Sequence, residues 1–187
     1  MISFRAGSVK LIFNFGFFLA VSLFCLIDEK GIMVCTFCSC IVHEIGHIVA
    51  AILNDVNIEK ISFGFGGIKM ISEGKIKGLG SEIFILLLGP FFNVLSALMY
   101  YYLECYTAFS VNLILAVFNL LPFSSLDGGT VIKKIFEYFQ LNAALFMKII
   151  SIISAIIICG FLYCFSLGNI LIYAAIIILT VYEFAID

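Results

Sequence analysis

Two histidines and a glutamate stand close together within an apolar stretch of this sequence. His43 and His47 are the only histidines in the chain, and Glu44 follows the first of them. On a helix, residues four apart share one face at roughly 6 Å, so both imidazoles can bind one Zn²⁺. Glu44 points about 100° further round the helix, where it can act on a metal-held water as a general base. The pattern predicts one zinc ion per chain.

A catalytic zinc site also needs a third protein ligand, and the sequence offers two candidates. Asp127 is followed by a glycine pair in a segment where helix is interrupted. The same aspartate would equally suit the cap of a helix that begins near Thr130. Cys40 shares a helical face with His47, although cysteines in apolar runs are usually small packing residues. The residue types alone leave these interpretations open.

The composition is that of a membrane protein. Of the 187 residues, 64% are hydrophobic and 12% are charged, and the mean hydropathy is +1.23. Soluble domains are about 45–50% apolar and about 25% charged. The net charge of −2 also provides no basic face for a nucleic acid. A histidine pair inside such a chain is either a functional site or a polar spot satisfied by neighbouring helices.

Six apolar runs have the length or nearly the length of a membrane span, which is roughly 20 residues. They are Leu11–Ile27, Ile32–Leu53, Ile83–Leu103, Tyr106–Leu121, Ala143–Leu167 and Ile170–Ile186. None alternates as a strand does, so all are predicted as helices, and the first as a retained span rather than a signal peptide. With both termini in the cytoplasm, nine of the ten basic residues lie on the cytoplasmic side, and only Lys30 does not.

Two segments between the runs have patterns of their own. In Ile58–Ser72, apolar residues alternate with small or polar ones on either side of Gly66-Gly67, which predicts a β-hairpin. An ordinary interfacial loop is the alternative. In Thr130–Gln140, apolar residues are four apart with charged residues between them, which predicts an amphipathic helix at the membrane surface.

Three motifs together resemble the site-2 protease family of intramembrane zinc metalloproteases. The first is the histidine pair. The second is Gly89-Pro90-Phe91-Phe92-Asn93, which is similar to the family's GPxxN segment. The third is Asn119–Gly129, which is similar to its NxxPxxxLDGG segment. Small size, six spans and the lack of a PDZ-like insertion most resemble the branch of the stage IV sporulation protein FB. Members of that branch often carry a CBS domain, and we expect none here.

The resemblance implies roles for the remaining polar residues of the motifs. Asp127 would be the third zinc ligand. Asn119 would lie near the active site, where its amide could hold the substrate or the developing oxyanion. Asn93 would be a structural or a substrate-side residue. The hairpin would be the family's membrane-associated β segment, which can lend an edge strand to an unwound substrate.

The sequence therefore predicts an all-α polytopic membrane protein with six transmembrane helices and a short membrane-associated β-hairpin. Residues 1–187 would form a single transmembrane domain with a protease core at about 30–135. We expect a zinc endopeptidase that cuts a membrane-associated precursor near the cytoplasmic face, in a bacterial inner or sporulation-related membrane. The resemblance suggests a pro-sigma factor as substrate and leaves room for a membrane-bound regulatory partner. The alternative is a non-proteolytic metal-binding membrane protein, such as a metal carrier or an inactive regulatory relative.

Overall fold

The computed structural model of the chain consists of two compact units, residues 1–117 and 118–187. It describes residues 2–6, 9–15, 17–19, 22, 28, 31–64, 67–72, 78–166 and 168–185. The elements in chain order are β1 (Ile2–Ala6), β2 (Val9–Phe13), α1 (Ile32–Leu53), β3 (Ile58–Gly64), β4 (Gly67–Ser72), α2 (Leu79–Tyr102), α3 (Tyr106–Asn119), α4 (Asp127–Tyr138), α5 (Ala143–Cys164) and α6 (Ile170–Ala185). The first unit ends within α3.

Side chains fix both ends of α1. At its start, the Val34 N–H donates to Asp28 Oδ2 at 3.0 Å, and this hydrogen bond lowers the pKa of the Asp28 carboxyl. At its end, the Asn54 side chain donates to a carbonyl one turn earlier at 2.8 Å. Asp55 then adopts a φ of 55°, which turns the chain out of the helix. The helix has the bounds predicted from the sequence.

The core of the first unit lies where α1 packs on α2. Ala50 and Ala51 are completely buried there against Ile85, with Val56, Ile58 and Leu88 around them. Alanines at the contact let the two backbones approach closely, as small residues do between membrane helices. This packing places the end of α1 against the first half of α2.

The sheet of the first unit has four strands in the order β1-β2-β3-β4. β3 and β4 pair antiparallel, so the hairpin predicted between the second and third apolar runs is confirmed. β2 pairs parallel with β3, with Leu11 opposite Ile61, and β1 pairs antiparallel with β2. These two N-terminal strands were not predicted.

The first predicted span, Leu11–Ile27, begins differently in the structure. Its residues Leu11–Phe13 belong to β2, and among the described residues helix follows at Phe15 and residues 17–19 and 22. A short apolar run fits a buried strand as well as a helix, and here pairing with β3 decides for the strand. The remainder of that prediction lies outside the described residues.

The second unit consists of α4, α5 and α6. The amphipathic helix predicted at Thr130–Gln140 is present as α4, which begins three residues earlier. Phe136 of α4 stacks on Phe146 of α5 at 5.0 Å between ring centroids. α5 starts where the Asn142 side chain accepts a hydrogen bond from the Leu145 N–H at 3.1 Å.

Three of the described helices, α1, α2 and α5, are long and apolar enough to cross a membrane. They contain 22, 24 and 22 residues. α3 and α6 are apolar but shorter, with 14 and 16 residues. Many large apolar side chains on these helices are exposed, as expected for surfaces that face lipid. The chain is therefore mostly helical and membrane-embedded in character.

Candidate metal centre

The two histidines of α1 face each other at its buried side. His43 is 7% exposed and His47 is 9% exposed. Their rings are nearly perpendicular, with centroids 4.7 Å apart, and the two Nε2 atoms are separated by 3.0 Å. The helical spacing therefore brings the two predicted ligands together in one pair, as the sequence predicted.

The opposite nitrogen of each ring contacts a group from α2. His47 Nδ1 lies 2.7 Å from the backbone oxygen of Ile85, and His43 Nδ1 lies 2.7 Å from Asn93 Oδ1. A carbonyl oxygen only accepts, so each Nδ1 must carry the proton and donate it. In a neutral imidazole the Nε2 atom then has a lone pair and no proton, which is the tautomer that binds a metal.

Two such Nε2 atoms at 3.0 Å form a poor contact by themselves, because both present lone pairs. A cation that binds both nitrogens removes this conflict. With Zn–N bonds of about 2.0–2.1 Å in a tetrahedral site, two histidine nitrogens lie about 3.3 Å apart. The spacing, the nitrogen donors and the tautomers fit a zinc ion at this place.

Two glycines allow the helix contact that surrounds the pair. A Cβ on Gly46 would lie 2.5 Å from the backbone oxygen of Leu88, so α1 and α2 touch through their backbones. A Cβ on Gly89 would overlap His47 Nε2 and lie 3.0 Å from His43 Cε1. Because Gly89 has no side chain, the space beside the two Nε2 atoms stays open.

Glu44 is the next residue along α1 and is partly exposed. Its helical position is about 100° round from His43, which is the position expected of a base rather than a ligand. Within the described part of the first unit, the Cys40 sulfur does not join the histidines in a cluster of ligand atoms.

Asn93 is completely buried, and its amide is engaged by the protein. Besides accepting from His43, it donates through Nδ2 to the backbone oxygen of Ser39 and to Asn112 Oδ1, both at 3.0 Å. Of the two roles that the resemblance left open for Asn93, these contacts correspond to the structural one. The role of Asn112 was not foreseen.

The second unit contains the other two predicted site residues. Asn119 is the last residue of α3, and Asp127 is the first residue of α4. α4 begins at Asp127, and Leu126 occupies its N-cap position one residue earlier. A carboxylate in the first turn is favoured by the helix dipole.

The glycine pair after Asp127 packs against the turn that precedes α4. A Cβ on Gly128 would lie 2.5 Å from the backbone carbon of Leu120, and a Cβ on Gly129 would overlap the Phe123 carbonyl. Both positions therefore exclude any side chain. The Asp-Gly-Gly sequence fixes where the backbone of Asp127 lies on this turn.

A glutamate of α6 holds the same turn. Glu183 is 5% exposed, and its carboxylate accepts hydrogen bonds from the Ser124 N–H at 3.0 Å and the Ser124 hydroxyl at 2.5 Å. Thr130 of α4 donates to the Ser124 carbonyl at 3.1 Å. Glu183 was not among the predicted site residues, although an ionisable residue in an apolar helix is itself a signal.

Comparisons with known proteins agree with this geometry. Residues 31–107 and 104–163 match the model of peptidase family M50. The chain belongs to this family. This M50 chain is 31% identical over 109 residues to the zinc metalloprotease MJ0392 of Methanocaldococcus jannaschii. That alignment covers 53% of the chain and 32% of the relative, so the chain spans about a third of the relative's length.

A solved structure shares the fold of the M50 chain. The site-2 protease from Methanocaldococcus jannaschii superposes with a TM-score of 0.67 at 20% sequence identity. The superposition covers 97% of this chain and 93% of that protein. The superposition shows the shared fold, the match to family M50 confirms the resemblance to the site-2 protease family, and the sporulation branch stays a prediction.

Proposed function

We propose that this chain is a zinc endopeptidase that cleaves a membrane-associated protein within the bilayer or at its cytoplasmic edge. One zinc ion per chain would be held by His43, His47 and Asp127, with Glu44 as the general base. The observation that carries this proposal is the pair of Nε2 atoms, which face each other at 3.0 Å while both Nδ1 atoms donate to acceptors on α2.

The third ligand is assigned to Asp127 on two grounds. Asp127 lies within residues Asn119–Gly129, which have the family's NxxPxxxLDGG pattern, and the chain belongs to family M50. Its backbone is held by the packing of Gly128 and Gly129 on the preceding turn. A carboxylate and two imidazoles form a ligand set that leaves one zinc position open.

The chemistry of peptide hydrolysis then divides among few groups. A bound Zn²⁺ supplies a Lewis acid that lowers the pKa of water and polarises the scissile carbonyl. Glu44 takes the proton of the attacking water and passes it to the leaving amine. Asn119 donates its amide to the carbonyl oxygen as negative charge develops there. Asn93 orients His43 and has no direct part in the reaction.

The proposed membrane arrangement has six spans with both termini in the cytoplasm. His47 is about six residues from the end of α1, so the histidine pair would lie roughly 9 Å inside the cytoplasmic boundary. A helical substrate must unwind there, because its own hydrogen bonds occupy the carbonyls. An edge of the sheet in the first unit would pair with the unwound segment.

The substrate class proposed is a membrane-associated regulatory precursor. This proposal is supported by the resemblance to the sporulation branch. In that branch the precursor would be a pro-sigma factor. The membrane would be a bacterial inner or sporulation-related membrane. We also propose that a membrane protein regulates or inhibits the enzyme.

Zinc content and cleavage of matched variants test the site. Detergent-purified wild type and Glu44→Gln are expected to hold about one zinc per chain, whereas His43→Ala and Asp127→Ala lose it. Glu44→Gln is expected to cut an unstructured, fluorescence-quenched peptide at least about 100-fold more slowly than wild type. Glu104→Gln changes an exposed glutamate in the turn after α2 and is the control that keeps both properties.

Each variant has a result that would contradict the proposal. Unchanged zinc in Asp127→Ala would remove this residue from the ligand set. Normal cleavage by Glu44→Gln would show that the general base is another group. A folded wild type that holds no zinc would end the protease interpretation, and a zinc-loaded wild type that cuts no peptide would favour the metal-binding alternative.

A further inference from the structure

Three buried side chains from three helices form a row in the first unit. His43 of α1 contacts Asn93 of α2 at 2.7 Å, and Asn93 contacts Asn112 of α3 at 3.0 Å. The exposed fractions of the two asparagines are 0% and 1%. Buried polar groups are costly unless they are hydrogen-bonded, so the direction of each hydrogen bond in this row is constrained.

The far end of the row is fixed by a backbone carbonyl. Asn112 Nδ2 lies 2.9 Å from the Ala108 oxygen, which can only accept. Asn112 must therefore turn its amide nitrogen toward its own helix and its Oδ1 toward Asn93. A flipped amide would place two oxygens against each other at this contact.

The orientation of the Asn93 amide is constrained in the same way. Its Nδ2 faces the Ser39 backbone oxygen and Asn112 Oδ1, two acceptors, and both of its N–H bonds are used. Only Oδ1 then remains for the third neighbour, which is His43 Nδ1. The orientation imposed at Asn112 is thus transmitted through Asn93 to the histidine.

We propose that Asn112 is a positioning residue that, through Asn93, keeps the proton of His43 on Nδ1 and its Nε2 lone pair directed at the metal. This inference rests on the proposed metal site. Asn112 lies on a third helix, and its side chain hydrogen-bonds to Asn93 and to the Ala108 carbonyl. Without it, the second N–H of Asn93 loses its acceptor, and the amide is held against flipping by the Ser39 carbonyl alone.

The experiment measures zinc affinity by chelator competition, starting from the zinc-loaded protein. Asn112→Leu keeps the shape of the side chain and removes both polar atoms. It is expected to weaken zinc binding about 10-fold, the lower end of the range for groups that orient metal ligands. A carboxyl buried at this position stays protonated, so Asn112→Asp retains an oxygen acceptor for Asn93 and an O–H donor for the Ala108 carbonyl, and it is expected to weaken zinc binding less than Asn112→Leu does.

A spectroscopic readout separates this role from simple packing. Because the chain has two histidines, ¹⁵N labelling of imidazoles gives two Nδ1–H signals, each protected by a hydrogen bond in the wild type. Asn112→Leu is expected to lose the protection of one signal and keep the other. Ser151→Ala removes a buried hydroxyl of α5 and is the control that keeps both signals.

Two protected signals and unchanged zinc affinity in Asn112→Leu would overturn the inference. If that variant does not fold, Asn112→Ala removes the same polar atoms with a smaller side chain and is tested with the same two measurements. A wild type without zinc would refute the proposed function, and the role of Asn112 would then be decided by the imidazole signals alone.

Discussion

At the scale of single residues, the group that contacts Nδ1 of each histidine decides which ring nitrogen carries the proton. His47 donates to the Ile85 carbonyl and His43 to the Asn93 amide oxygen. Both acceptors come from α2, so one neighbouring helix orients both rings. The motif on α1 is therefore necessary for the site, but its chemistry also depends on α2.

Gly89 of α2 leaves no room for a side chain beside the two histidines. In Gly89→Ala the new methyl group would overlap His47 Nε2, so the rings or the helices must move apart. We expect at least a 10-fold loss of zinc affinity, since displaced ligands lose their geometry. Chelator competition on the purified variant measures this.

Gly80→Ala is the matched control on the same helix. A Cβ at Gly80 would meet no atom within 4 Å, so this variant is expected to keep its zinc and gain up to about 1 kcal/mol of stability. Wild-type affinity in Gly89→Ala would show that the space beside the histidines is not required.

Some of these residues could be predicted from the sequence and others could not. The pair His43 and His47 follows from helical periodicity, which is local. The role of Asn112 depends on three helices meeting, and no spacing in the sequence records which buried asparagine faces which neighbour. Glu183 carried a readable signal, because a carboxylate in an apolar helix needs partners.

At the scale of elements, α6 is linked to the turn before α4 through Glu183. Removing this carboxylate in Glu183→Ala leaves the Ser124 N–H and hydroxyl without their acceptor. We expect the variant to lose about 1.5–3 kcal/mol of stability, the range for hydrogen bonds to charged groups, and to retain zinc less well. Thermal unfolding in detergent and zinc content measure the two effects.

Glu137→Gln is the control for this change. Its carboxylate lies 3.8 Å from Lys134 Nζ on the exposed side of α4, where an ion pair contributes about 0–1 kcal/mol. Equal stability of the Glu183→Ala and Glu137→Gln variants would show that α6 does not hold the turn.

The start of α1 gives a prediction about pH. The hydrogen bond from Val34 lowers the pKa of Asp28, so the folded protein binds this proton less readily than the unfolded chain. Stabilisation is therefore complete above the unfolded pKa of about 3.9 and is lost as the pH falls through the lower folded value. Val34→Pro removes the donor and is expected to raise the Asp28 pKa towards its ordinary value.

A carboxyl NMR titration of Asp28 measures this shift. Val34→Ala keeps the N–H and is the matched control, which should titrate as the wild type does. An Asp28 pKa that is the same in the proline and alanine variants would mean that another group lowers it.

The elements also differ in how well they could be predicted from the sequence. α1 was predicted to the residue, because its apolar run ends at polar turn residues on both sides. The hairpin β3–β4 followed from alternation around a glycine turn. The sequence predicts a helix in place of β2, because the partner strand β3 is about 50 residues away and the three apolar residues Leu11–Phe13 do not show whether a strand lies beside them.

At the scale of the whole molecule, the proposed membrane topology depends on whether α3 crosses the bilayer. Three described helices are long enough to cross a bilayer, and α3 has only 14 residues. At 1.5 Å per residue α3 is about 21 Å long, shorter than a hydrocarbon core of about 30 Å. Whether α3 crosses decides on which side α4 lies.

Cysteine labelling in intact cells can test this topology. Cys105 is exposed in the turn between α2 and α3, and Tyr138 is exposed at the end of α4. In variants with a single cysteine, a membrane-impermeant maleimide should label Cys105 from outside and Tyr138→Cys only after permeabilisation. Labelling of both from outside would mean that α3 does not cross, and the reverse pattern would place both termini outside the cytoplasm.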